Sequence, residues 1–512
     1  MDDVQTDLPE RRTRWSQRLV MFALVLVVGI GGVVILRELV ETNVAQVAEV
    51  PPGDVEIAWF HTSTNAANWE RFVAGIVQAR RQHPEMEVDD SRAFLRQTAS
   101  IPEVVIRWKD KPGKIYIRWY KLSSESTLQY WISALAKRSP PPVAVVGGGS
   151  SDRAVELADA LREQTTWQGE APLLLITLAT ADKVYDAAFG DRNLIEIYPD
   201  RTFRFCFTNS AVAKAVVDFV QQSSFLRPQG PVVCSALTAF SSISPTGWAG
   251  LGGMPIYSIE PPPKASIFEW EDDPYSSDLS NQFKQQLADY AECTNESSPY
   301  SVGSTSKDND KETGIIYSIV SNANFSPGER MMLVMPGASM PVQRALRKFR
   351  SFAPLFGKSS VVLTGDGISF NTLLRDGDYA WPVREMPLPL VSFCHYNPVA
   401  WDQTDPPNGI PRLSSPVSTD DVLLYADLIG TTAKELFVAD QFPDANVLKN
   451  RLQSLNPPMF TSAGDRISGR GEYVVVVLPR FTSDNLIRPE TTIQIYKHTD
   501  GWQKVDERIR PN

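Results

Sequence analysis

PVAVVGGGSSDRAVELADALR, residues 142–162, reads as a strand, a glycine loop and a helix in immediate succession. Pro142 to Val146 is a short apolar run with β-branched residues, closed at once by Gly147, Gly148 and Gly149. Ser150, Ser151 and Asp152 stand where a helix N-cap belongs, and Val155, Leu157, Ala158 and Leu161 follow at helical spacing. Such a unit aims free backbone N–H groups and the positive end of a helix dipole at the space beyond the strand's carboxyl end, where a carboxylate or other anion fits. An ordinary, well-capped turn would give the same pattern, so the functional reading depends on the rest of the chain. A phosphate-binding loop would end Gly-Lys-Ser/Thr, whereas Asp152 here repels phosphate. The dinucleotide fingerprint G-x-G-x-x-G also fails, because Asp152 holds the place of its third glycine.

The chain has 512 residues, more than one ordinary domain, and its 43% hydrophobic content is enough for real cores. A net charge of −10 with no basic stripe argues against a nucleic-acid partner. Cys206, Cys234, Cys293 and Cys394 lie far apart without CxxC spacing, and the four histidines are scattered, so neither a metal site nor a cofactor is expected. The acidic run around Glu269 to Asp273 reads as a solvated loop edge, and an oxidising compartment would allow a disulfide without selecting a pair.

Residues 1–18 are polar and carry Arg11, Arg12, Arg14 and Arg18; the uncharged run Leu19 to Leu36 follows. Those 18 residues would span roughly 27 Å as a helix, close to the thickness of a bilayer's hydrocarbon core. The upstream arginines place residues 1–18 in the cytoplasm and the bulk of the chain outside it, with 37–53 as a juxtamembrane spacer. A cleavable signal peptide is the alternative, but Ala45 and Ala48 have Asn43 and Gln46 at the −3 position, a poor cleavage pattern. No cysteine follows the run to carry a lipid. The expectation is a single-pass signal anchor in the inner (cytoplasmic) membrane.

Beyond Pro51-Pro52-Gly53 the pattern alternates. Val55 to Phe60 reads as a strand, His61 to Asn65 as a polar loop and Ala66 to Arg81 as an amphipathic helix. Val104 to Trp108 and Ile115 to Tyr120 read as strands around a turn, Ser123 to Lys137 as a helix, and Leu173 to Thr177 as a buried strand. Arg204 to Phe207 leads into a helix from Ser210 to Gln221. After the break at Pro228 to Pro231 a second series begins, with strands at Val232 to Ser235 and Ile267 to Glu271 and a helix from Pro274 to Tyr290. Residues 294–313 are polar and read as a mobile surface insertion. Further strands are expected at Ile315 to Val320, Met331 to Met335 and Val361 to Leu363, and helices at Val342 to Phe352 and Val422 to Phe437. Gly471 to Leu478 and Thr492 to Lys497 close the chain as an antiparallel pair. The fold class is α/β, two doubly wound Rossmann-like lobes after one N-terminal transmembrane helix. The first lobe takes residues 54–227 with return segments at about 360–420, the second 228–460, and 461–512 form the closing strands. The loops 61–65, 147–151, 179–182 and 208–210 then converge on one edge and predict a cleft.

The stretch FEWEDDPYSSDLSNQFKQQL, residues 268–287, resembles the strand and D-x-x-Y-G-x-G-L-x-x-x-F pattern of the type 1 periplasmic-binding-protein family, specifically the leucine/branched-chain amino-acid receptors of ABC importers. VAVVGGGSSDRAVELA, the ITLATAD stretch from Ile176, FRFCFTNSAVAKAVVDFV and VVLTGDGIS from Val361 resemble further family segments, all in the family's order across roughly residues 54–505. The resemblance implies two α/β lobes closing over a small polar ligand such as an amino acid. It places the ligand's carboxylate at Ser150 or Ser151 and at Ala179 and Thr180, a covering aromatic at Tyr275, a partner for its ammonium at Asp366, and a further polar contact at Asn209 or Ser210. Each position has a plainer alternative: Ser150 and Ser151 as helix caps, Tyr275 as a rim aromatic, Asp366-Gly367 as a turn. The chain also departs from the pattern, with Ser276 in place of a glycine after Tyr275 and Thr177-Leu178 in place of Pro-Gly.

Two functions follow. One is a membrane-anchored solute-binding protein serving an ABC permease in the inner membrane; the other is the same fold without ligand capture, acting as an envelope interaction or sensor ectodomain. No catalytic residue is assigned: the chain has no Gly-x-Ser-x-Gly or HExxH, and His61 at a strand end reads as a rim histidine.

Overall fold

A computed structural model describes residues 21–22, 46–62, 64, 66–95, 100–186, 190–226, 264–270, 273–298, 312–319, 331–349, 360–368, 388–400, 419–469, 471–481 and 487–511. The strands of the first half are β1 (Val55–Thr62), β2 (Met86–Asp89), β3 (Glu103–Trp108), β4 (Ile115–Leu122), β5 (Ala144–Gly147), β6 (Leu173–Ile176), β7 (Lys183–Asp186), β8 (Gly190–Asn193) and β9 (Thr202–Arg204). Seven of them form one sheet in the order β2-β3-β4-β1-β5-β6-β9, and β7-β8 is a separate hairpin. From β4 to β9 the sheet is parallel; β2 and β3 add an antiparallel edge. Ile57 to Phe60, Ala144 to Gly147 and Leu173 to Ile176 are buried without interruption, as strands covered on both faces must be. The helices that follow these strands are α1 (Ala66–Gln82), α2 (Leu128–Ala136) and α3 (Ser151–Glu163).

The second sheet is built from β10 (Lys264–Trp270), β11 (Glu292–Ser298), β12 (Met331–Val334), β13 (Val361–Leu363), β14 (Leu390–Cys394), β15 (Tyr473–Phe481), β16 (Ile487–His498) and β17 (Trp502–Pro511), in the order β11-β10-β12-β13-β14-β15-β16-β17. Counted in chain order, the parallel parts of both sheets have the same 2-1-3-4-5 arrangement, the doubly wound order.

Helices are exchanged between the halves. The helix α4 (Asn209–Gln222) follows β9, yet its Val212, Val216, Phe219 and Val220 pack with Leu279, Phe283, Val334 and Val391 in the second core. That core also takes α5 (Pro274–Leu287); α6 (residues 312–319) and α7 (Ser339–Phe349) cover the sheet's other face. In the reverse direction, α8 (Thr419–Leu436) and α9 (Ala445–Gln453) bring Leu424, Leu428, Ile429, Leu448 and Leu452 into the first core. Gly75 on α1 lets α8 come close, since a Cβ there would collide with Tyr425.

At the amino end of the first sheet, Glu56 is fully buried between Arg118 Nη1 at 2.5 Å and Arg138 Nη1 at 2.9 Å, and it accepts the Tyr120 hydroxyl at 2.8 Å. The two guanidinium groups also donate to the carbonyls of Ala48 and Glu49, which clamps residues 48–49 under the sheet.

Several expectations need correcting. The helix expected from Ser123 begins at Leu128, because the Ser123 hydroxyl takes the N–H groups of Glu125 and Ser126 in a turn and Thr127 caps the helix. The expected insertion 294–313 is partly β11, paired in parallel with β10, and it ends in α6, where buried Glu312 meets Arg344 at 2.7 Å and Lys348 at 2.9 Å. Residues 315–319 are helical rather than a strand: Ile316 and Ile319, one turn apart, both enter the second core, and that packing overrides their β propensity. β2, β14 and α9 were not anticipated. The closing strands are three, and β15 pairs with β14, so they extend the second sheet. The return to the first half is made by α8 and α9, whereas β13 and β14, within 360–420, belong to the second sheet. Residues 228–235 and, but for Met21 and Phe22, the expected membrane segment 19–36 lie outside the described residues, among which no helix is long and apolar enough to cross a membrane.

Glu56→Gln leaves buried Arg138 without a counter-charge and Arg118 with Glu103 alone, and should cost about 3 kcal/mol, read as a lower urea midpoint at unchanged slope.

Candidate functional site

In a doubly wound sheet a ligand sits where successive loops leave the strands in opposite directions. In the first sheet that point lies between β1, whose chain leads towards β2 on one side, and β5, whose chain leads to β6 on the other. A pocket of about 310 Å³ opens there. Its apolar wall is Phe60, Leu122, Leu128 and Leu157, and its polar side is His61, Thr62, Asn68, Gly149, Ser150, Arg153 and Glu156.

The local chemistry follows from the glycine loop. Gly148 has φ +74, which turns the chain from β5 into α3, and a Cβ there would press on Ala154 and Ile176. Ser150 is the N-cap residue in an extended conformation, but its side chain makes no capping bond and is exposed. His61 stacks on Trp59 at 5.1 Å, and its Nε2 accepts the Asn68 amide at 2.7 Å. Burial holds the His61 pKa below its usual value, so the ring is neutral at pH 7, as that acceptor role requires. Asn68 in turn accepts from Arg71, whose other nitrogen meets Asp421 at 2.9 Å. Arg153 pairs with Glu156 at 3.1 Å, an exposed contact easily exchanged for another anion.

The loops expected at the cleft contribute His61, Thr62, Gly148, Gly149 and Ser150 to this pocket, but of the residues expected to contact the ligand only Ser150 lines it. Ser151, Ala179, Thr180 and Asn209 are buried in a seam between the two halves. Ser151 Oγ accepts the Ala181 N–H at 3.4 Å, the Ala179 carbonyl accepts the Cys206 thiol at 3.4 Å, and the Thr180 carbonyl accepts the Asn209 N–H at 2.7 Å. Asn209 Nδ2 donates to Asp278 Oδ2 at 2.8 Å and to the Tyr275 carbonyl at 3.3 Å. The Tyr275 hydroxyl donates to Asp366 Oδ1 at 2.9 Å and accepts the Gly367 N–H at 3.0 Å. Asp366 Oδ2 holds His395 Nε2 at 3.0 Å, while His395 Nδ1 accepts the Phe207 N–H at 3.2 Å. Asp366 and Asp420 draw the His395 pKa upward against burial. Ser210 donates both its N–H, at 2.7 Å, and its hydroxyl, at 2.9 Å, to Asp182.

The structure thus joins Asn209, Tyr275 and Asp366 in one network, with Thr180 bonded to Asn209 and Ser151 at its edge, while Ser150 faces another space. Each Asp366 oxygen already holds a donor from the protein. Sequence reasoning missed Asn68, Arg153, Asp278 and His395, and gave Asp182 a place in a cleft loop but no role. Asp278 had a signal: it stands where the D-x-x-Y-G-x-G-L pattern has its second glycine. The equivalent point of the second sheet, between β10 and β12, is filled by the buried Trp270 ring lying over Gly337.

No family model matches the chain, and no curated protein matches it. Solved structures that resemble it include an ABC transporter substrate-binding protein from Desulfitobacterium hafniense, with 13% identity, a TM-score of 0.46, and 88% of this chain and 99% of that one covered. A leucine-binding protein from Thermotoga maritima gives 13% identity and a TM-score of 0.45, with 88% and 98% covered. A branched-chain amino acid ABC transporter protein from Thermus thermophilus with bound valine gives 9% and 0.44, with 92% and 98% covered. These are type 1 periplasmic binding proteins, the family the sequence resembles. Likenesses at this level leave the ligand to be decided by the chain's own residues.

Gly148→Ala should cost about 1–2 kcal/mol through its left-handed backbone, whereas Ser150→Ala should change stability by less than about 0.5 kcal/mol; thermal melts of both check the loop geometry.

Proposed function

We propose that the protein is an extracytoplasmic solute receptor that captures a small molecule with an anionic head, such as the carboxylate of an amino acid, at the carboxyl edge of the first sheet. The observation that carries this reading is the pocket between β1 and β5, open beneath the N-terminus of α3. An anion at that helix end gains about 0.3–1 kcal/mol, or up to about 2 kcal/mol when partly buried. An apolar body the size of a leucine side chain gains about 1.5–3 kcal/mol against Phe60, Leu122, Leu128 and Leu157. Neutral His61 and the Asn68 amide orient the polar end, and Arg153 can leave Glu156 for the guest. In this reading residues 19–36 anchor the chain in the inner membrane, and the guest passes to an ABC-type permease there. The reading draws its support from the pocket's position and chemistry and from the sequence resemblance.

Isothermal titration of the chain against amino acids and simple carboxylates should give one-site binding. Gly149→Leu, at an exposed loop position where a Cβ would stand 3.7 Å from the His61 ring, should weaken that binding at least about tenfold, about 1.4 kcal/mol, with little loss of stability. A folded protein that gives no heat with any member of the panel would instead favour an interaction or sensor ectodomain.

A further inference from the structure

We propose that Asp278 is a built-in occupant of the seam: its carboxylate, carried on α5, takes the backbone donors at the mouth of the first half and holds the two halves together without a guest. Asp278 Oδ2 accepts the Asp182 N–H at 2.8 Å and the Asn209 amide at 2.8 Å, and its Oδ1 accepts the Lys183 N–H at 3.3 Å. These are donors beyond the carboxyl end of β6, of the kind an anionic ligand would use, and a residue 6% exposed satisfies them. The contact joins the two halves. Asp182 and Lys183 stand on the first half, whereas α5 packs through Leu279 and Phe283 into the second core.

The same contact is proton-dependent. Asp182 faces Asp278 from the first half; Asn209 and Ser210 of α4 bring hydrogen bonds but no charge; on its own helix Asp273 stands at the cap, and Asp366, beyond the end of β13, meets that helix through the Tyr275 hydroxyl. Lys183 contributes its backbone N–H. Burial and the Asp182 charge raise the Asp278 pKa to about 6. In an open seam the carboxyl would return towards its ordinary value of about 4. A carboxyl raised in the closed state takes up a proton on closing, so closure is favoured at acidic pH and weakens as pH rises from about 4 to about 6. Two pKa units correspond to a change of up to about 100-fold in the closed-to-open ratio.

The inference rests on the two-part site described above but not on any guest being bound, so its test uses no ligand. Hydrogen exchange of the full chain, followed by mass spectrometry, reads the Asp182 and Lys183 amides directly. After correction for intrinsic rates, their protection should be at least tenfold greater at pH 4.5 than at pH 7 in the unaltered protein. Asp278→Ala should lose that protection at both pH values, and Asp278→Asn should lose the pH difference. Protection of the Leu173–Ile176 amides reports whether each variant is folded; if the alanine variant is not, the asparagine variant decides. Unchanged protection at residues 182–183 in folded Asp278→Ala, or a pH difference that survives Asp278→Asn, overturns the proposal. A failed ligand titration would leave this result untouched.

Discussion

A parallel sheet has to be buried on both faces, and neither sheet of this protein is covered by the helices of its own half alone. The first sheet is completed by α8 and α9, which arrive after the chain has built most of the second; the second is completed by α4, which leaves the end of the first. That exchange ties the halves together through apolar surface, and it brings the loops after β6 and β9 against α5. The closed seam is a consequence of this arrangement.

Two buried polar networks stand at opposite ends of the first sheet. At the amino end, Glu56 and Glu103 with Arg118 and Arg138 form a set of buried charges whose spare donors hold the backbone of Ala48 and Glu49. At the carboxyl end, Asp182, Asp278, Asp366 and His395 are linked by backbone and side-chain donors from both halves. Burial raises the Asp278 pKa to about 6 there, as it does that of nearby Asp273, and raises that of Asp420 to about 7. The first network fixes the entry of the chain; the second meets solvent conditions through protons.

The pocket and the seam share one helix start but differ in what they leave available. Ser150 at the cap is exposed to the pocket, while its neighbour Ser151 is turned into the seam and bonded to Ala181. Adjacent residues at the first turn of a helix point about 100° apart, since 3.6 residues complete a turn, so a pair of serines at that place serves two surfaces. This is why a single cleft expected from loop positions becomes an open pocket on one side and a closed contact on the other.

The sequence by itself determined the alternation of strands and helices, because buried parallel strands such as Val143 to Val146 and Leu173 to Ile176 are continuous apolar runs and glycines punctuate them. It also placed the glycine loop at Gly147 to Ser151 between a strand and a helix, since that geometry is local. It misread Ile315 to Ile319 and the segment after Glu292, whose states depend on partners distant in the chain. Only the tertiary structure decided that α4 belongs to the second core, that α8 returns to the first, and that Asp278 meets Asp182. Those contacts join residues about sixty or more positions apart, and no local spacing records which buried surface a helix will cover or which carboxylate will be left facing an amide.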